Sequence, residues 1–131
     1  MSKTIYSLEE LNAQVATLEG QIGTGKGLAT AWALVDGLTG NLISGFNVSG
    51  SSRISTGYYE LVFSTPLDNI NYAVTGGGAV SANENGFSVG MARTDAHAKN
   101  VNNVRVVSRE EHSTTTVDVA LVSVVIHGGK N

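Results

Sequence analysis

The chain contains no cysteine. That excludes a disulfide framework, a thiol nucleophile, an iron–sulfur cluster and every cysteine-based zinc site. Charge is scarce as well: 15% of residues are Asp, Glu, Lys or Arg, where about 25% is typical of a soluble domain. The 8 Lys+Arg are outnumbered by 11 Asp+Glu, for a net charge of -3. The basic excess that neutralises phosphates is missing, and nucleic acid is not expected as a partner. No stretch approaches the roughly 20 apolar residues of a membrane helix. The opening MSKTIYSLEELN lacks the apolar segment of a secretory signal, so the expectation is a soluble product of the cytoplasm with no membrane insertion. What is plentiful is Ser, Thr, Asn and Gly, with 16 Gly alone. Such uncharged polarity is common on proteins that work outside cells or pack against copies of themselves. At 131 residues there is room for one small core and a short appendage.

The appendage is at the N-terminus. Ser7 followed by Glu10 is a capping box: the hydroxyl accepts from a free amide at the helix start and Glu10 reaches back to the Ser7 N–H. Tyr6 and Leu11 are placed for the accompanying apolar staple, and Gly23 after Ile22 can end the helix. A helix over 8–22 follows. Its large apolar residues Leu8, Leu11, Val15, Leu18 and Ile22 recur at three, four, three and four, the seam of a coiled coil over two heptads. A helix this short is marginal alone, so it either folds back onto its own domain or self-associates as a stalk. The Gly23–Gly27 stretch, GTGKG, is a flexible spacer that favours the stalk. Val15 and Ile22 at one heptad position with Leu11 and Leu18 at the other favour two strands by model-peptide rules. Leu8 blurs that preference.

From Ala29 the period changes to two, with runs rich in Val, Ile, Tyr and Phe broken by Gly, Asn, Ser and Asp. Strands are expected over 29–35, 42–49, 57–64, 71–75, 87–92, 104–109 and 116–127. Seven short strands predict an antiparallel β-sandwich, and the division is 1–27 for the helix and spacer and 28–131 for the sandwich. Val117, Val119 and Leu121 alternate with Asp118 and Ala120, but Val122, Val124, Val125 and Ile126 crowd both faces of the last strand. A strand apolar on both sides is buried on both sides, by loops of the opposite sheet or by neighbouring subunits.

The residues offer little for catalysis. Gly20–Gly27 nearly spells a phosphate loop, but Gly27 stands where Ser or Thr would hold magnesium, and the stretch follows a helix instead of opening one. His97, His112 and His127 are dispersed, so a metal site within one chain is not expected; a threefold axis could gather three copies of one His. No Gly-x-Ser-x-Gly elbow nominates a nucleophile, and Glu84, Asp95, Glu110 and Glu111 fall in expected loops instead of facing across a cleft. Neither an enzyme nor a cofactor is expected. Asn47-Val48-Ser49 matches a glycosylation acceptor but falls inside an expected strand. The loop 93–103, RTDAHAKNVNN, mixes both charges with several amides that can hydrogen-bond sugar hydroxyls, or it is an ordinary solvated loop.

Ala31-Trp32, Asp36-Gly37, Phe46-Asn47-Val48-Ser49, the run 57–67 (GYYELVFSTPL), Asn71-Tyr72-Ala73-Val74 and the run 122–128 (VSVVIHG), in this order and spacing, resemble the tail-fibre head domains of tailed bacteriophages. The likeness covers nearly all of 29–128. It departs before Tyr58, where an Asp/Asn-Gly-rich turn is missing, and at His127, where an aromatic or aliphatic residue is usual. The resemblance implies a homotrimer in the virion, made in the host cytoplasm, with the N-terminal part docked to a tail or baseplate protein. It also implies a knob that binds a bacterial surface polysaccharide or outer-membrane protein. Trimerisation through Leu8, Leu11, Val15, Leu18 and Ile22 would then replace the dimer that the heptads favour. With strictly alternating strands, loops 36–41, 64–70 and 93–103 would lie together, away from the stalk. The receptor-binding residues expected there are Arg93, Asp95, His97, Lys99, Asn100 and Asn102, with Tyr72 as a stacking face for a sugar ring. The alternative is a purely structural fibre or connector that binds another phage protein.

Overall fold

The computed structural model describes residues 6–23, 28–79, 87–92, 99–110 and 114–131. The elements are α1 (Leu8–Gly23), β1 (Ala29–Asp36), β2 (Leu42–Phe46), β3 (Val48–Ser55), β4 (Tyr58–Phe63), β5 (Tyr72–Ala79), β6 (Phe87–Met91), β7 (Asn103–Glu110) and β8 (Leu121–Gly128). The helix starts as its cap dictates: the Glu10 amide donates to Ser7 Oγ at 3.1 Å and the hydroxyl donates in turn to Glu10 Oε1 at 3.2 Å. The returning carboxylate therefore meets the Ser7 side chain.

The protein is mainly β, with two antiparallel four-stranded sheets ordered β2-β1-β8-β5 and β3-β4-β7-β6. Alternation sets their facing. Ala31, Ala33 and Val35 of β1, Tyr59, Leu61 and Phe63 of β4, Val104 and Val106 of β7, and Val122, Val124 and Ile126 of β8 form one buried core. The second edge closes tightly. A Cβ on Gly76 of β5 would come within 2.7 Å of the Val89 side chain of β6, so only glycine allows the two edges to approach this closely.

Among the described residues there are eight strands where seven were expected, because the run 42–49 is broken at Asn47. Asn47 has φ 53, a left-handed conformation that Asn tolerates better than most residues. There the chain leaves one sheet and begins β3 in the other. The corner is tied by its side chain, with Thr65 N donating to Asn47 Oδ1 at 2.8 Å and Nδ2 donating to the Thr65 carbonyl at 3.2 Å. The extra strand changes the end at which the later described loops lie. Residues 64–71, 99–103 and 128–131 gather at the end where β1 begins, joined by Leu67 N to the Val101 carbonyl (2.8 Å), Asp68 N to the Gly129 carbonyl (2.8 Å) and Thr30 Oγ1 to the Gly128 carbonyl (2.7 Å). The turn 37–41 lies at the opposite end, alone among the three loops expected to cluster.

At that far end the last strand is shorter than its alternation suggests. Residues 117–120 leave the sheet because the Asp118 carboxylate accepts from Gly57 N at 2.8 Å, from Arg53 Nε at 3.0 Å and from the Tyr59 hydroxyl at 3.3 Å. Tyr59 Oη also donates to the Gly37 carbonyl at 2.6 Å, so one carboxylate and one phenol pin three loops together. Gly57 (φ +70) fits because a Cβ there would stand 2.7 Å from both Ser108 and Val117 backbone atoms.

Candidate functional site

Three surfaces carry the residues of interest. The first is the turn 99–103 at the helix-proximal end. Asn100 Oδ1 accepts from the amides of Asn102 (2.8 Å) and Asn103 (2.9 Å), and Asn100 N donates to the Asn103 carbonyl at 3.0 Å. This side chain closes its own turn. Tyr72 Oη donates to the Asn100 carbonyl at 2.9 Å, and Lys99 Nζ sits 4.7 Å from the Tyr72 ring centroid. The Tyr72 ring meets Phe63 edge to face at 6.0 Å. At 4% exposure it is a core residue, not a stacking face for sugar: a phenol buried by the sandwich and tied to a loop carbonyl has no free face to offer. Burial pushes its pKa up to about 12. Lys99, Asn100 and Tyr72 are thus brought together, and Asn102 is exposed beside them. Arg93, Asp95 and His97 lie outside the described residues.

The second surface is the helix. Leu8, Leu11, Val15 and Leu18 are all exposed, Leu8 at 74%, so the heptad seam is uncovered along these four positions. Ile22 lies within α1.

The third is the outward face of the first sheet, which the residue pattern only hinted at through Val124 and Val125. Register across β2, β1, β8 and β5 places Phe46, Trp32, Val125 and Thr75 in one row. The next row is Ser44, Leu34, Ser123 and Gly77, and then come Leu121 and Ala79. Phe46 is 56% and Trp32 40% exposed. Among the described residues of this face, ionisable side chains occur only at the two rims. Asp36 turns its Oδ1 to the amides of Leu38 and Thr39, and His127 pairs with Ala73 at the other end. The outward face of the second sheet is unlike it. There Glu60 and Arg105 face each other at 2.8 Å, Asn103 Nδ2 donates to Glu60 at 3.4 Å, and Tyr58 and Val62 flank them.

Among the described residues, no three His, Asp or Glu gather in a way that could hold a metal ion. Comparison with protein-family models, with curated proteins and with solved structures found no match for this chain.

Proposed function

We propose that the chain is a receptor-binding fibre of a tailed bacteriophage, acting as a homotrimer in the virion. Residues 1–27 dock to a tail or baseplate protein and residues 28–131 form the knob that adsorbs, without covalent chemistry, to a bacterial surface polysaccharide or outer-membrane protein. The observation that carries this reading is a small sandwich attached to a helix whose heptad seam is uncovered, on a chain whose strand motifs resemble tail-fibre heads. A coiled coil of three such helices would cover the seam, and three weak sites would act together through avidity.

The loop arrangement supports one end of the sandwich as the one that meets the host. With the stalk joining at the start of β1, the end leading away from the virion is the one with the turn 37–41. Its tip is Leu38, 63% exposed on a turn held by the Asp36 carboxylate. Host contact is assigned there. The Lys99–Asn102 turn lies beside the stalk, a position that favours contact with another phage protein and so supports the connector alternative for that surface.

The test is binding of the fluorescently labelled full-length chain to a panel of intact bacterial strains. Saturable binding to at least one strain, reduced by Leu38→Glu and retained by Lys99→Ala/Asn102→Ala, is the expected result. No binding to any strain, together with capture of a purified tail or baseplate protein, would replace the receptor reading with the connector.

A further inference from the structure

The outward faces of the two sheets differ in a way that folding of one chain does not require. Both are solvent-facing in the single chain, yet one carries an ion pair and the other presents Phe46, Trp32, Val125, Leu34 and Leu121 with no charge between its rims. We propose that this uncharged face is where copies of the chain meet. A partner identical to the chain fits the charge pattern, because an uncharged face that meets its own copy buries no charge and sets no like charges against each other.

The face alone is smaller than a standard interface. Four strands about 4.8 Å apart and rows spanning about 20 Å give a flat projection of roughly 400 Å², about half the 800 Å² per partner of a standard interface. The helix seam, carried on the same chain and leading into β1, supplies further apolar surface over a length of about 24 Å. One kind of partner, a second copy, covers both. Three such faces turned toward one axis enclose a triangular core; that stoichiometry rests on the fibre reading, whereas the contact itself does not.

The experiment is light scattering on the full-length chain, with folding checked by far-UV circular dichroism. Trp32→Glu and Val125→Lys place charge on the proposed face, Val15→Glu on the helix seam, and Val62→Glu on the second sheet at a position of equal exposure, 40%, to Trp32. The expected result is a multiple of the 13.6 kDa chain mass for the parent and for Val62→Glu. The mass should fall to that of single chains, with unchanged secondary structure, for Trp32→Glu or Val125→Lys. A multimer that survives both face variants but not Val15→Glu would overturn the proposal and leave the fibre reading intact. A monomeric parent would overturn it too. In that case cysteines placed at Val15 and Val125, unambiguous in a chain without its own, would report by intramolecular disulfide formation whether the helix folds onto the face. Binding to bacterial cells remains a separate measurement, so failure of the interface and failure of the fibre reading are distinguishable.

Discussion

The sandwich turns equivalent apolar rows inward from both sheets, but outward the first sheet presents Trp32, Phe46, Leu34 and Val125 while the second presents Glu60, Arg105, Asn103 and Tyr58. Inward, the choice is forced by burial: Val122, Val124 and Ile126 are within 1% of complete burial. Outward, water would accept either surface. Under the proposed interface, the uncharged one is the surface that a second copy covers. The neighbouring β8 residues Ile126 and Val125, one facing in and one out, express the contrast in a single step along the chain.

That pair gives the largest expected effect. Ile126→Ala should destabilise by about 3 kcal/mol from lost burial and a residual cavity, seen as a lower urea midpoint at every protein concentration. Val125→Ala should cost under about 1 kcal/mol in dilute solution and more at high concentration, where association stabilises the fold. Equal losses for the two at all concentrations would erase the distinction between core and interface.

Next in size are the polar fasteners. Asp118→Ala leaves the Gly57 amide short of an acceptor and removes the ion pair with Arg53, and should cost about 1–3 kcal/mol; denaturant unfolding measures it. Burial alone would raise the Asp118 carboxyl, but hydrogen bonds from Arg53, Gly57 and Tyr59 outweigh that and hold it below the usual carboxylate value. A lowered folded-state pKa means stability that is complete above the unfolded value. It is lost as pH falls below about 4 and through the folded value. Asp118→Asn should flatten that part of the stability profile. Tyr59, pushed by burial and then by Asp118 up to about 12, stays protonated across the same range. Asn47→Ala should cost about 1–2 kcal/mol, since it removes both hydrogen bonds to Thr65 and places a less tolerant residue in the left-handed region.

Smallest are the changes on and beneath the second sheet. Glu60→Gln removes a partly exposed ion pair with Arg105 and should shift stability by under about 1 kcal/mol, less at high salt, with no change in solution mass. Ser108→Ala, at a fully buried hydroxyl with no partner among the described residues, should raise the melting temperature slightly. A change of mass in Glu60→Gln would show that the second sheet, too, meets copies.

The parts legible in the sequence were those fixed by short-range chemistry. The Ser7/Glu10 cap and the period-two runs of Val, Ile, Tyr and Phe are local, and the helix start and the sandwich class were readable from them. β3 was not, because Val48-Ser49-Gly50-Ser51-Ser52 has no apolar alternation; its place depends on pairing with β4 and on the Asn47 corner, whose fasteners are 18 residues away. That one strand changed the end at which the later described loops lie. For the site, the run Val124-Val125-Ile126 signalled a second apolar face, but its extent came only from the register of β1 and β2 beside β8. Tyr72 looked available because an aromatic near a polar loop is the same in sequence whether its ring is free or buried. Its hydrogen bond to Asn100, 28 residues on, is a property of the folded core.

Trp32 is the only tryptophan and lies in the middle of the uncharged face, which makes it a direct reporter. The decisive measurement is its fluorescence emission, followed with light-scattering mass on the full-length chain across a dilution series. Blue-shifted emission in the multimer, moving to the red in step with the fall to single-chain mass, is what a covered face predicts. An emission maximum that stays constant while the mass falls would mean that copies meet elsewhere.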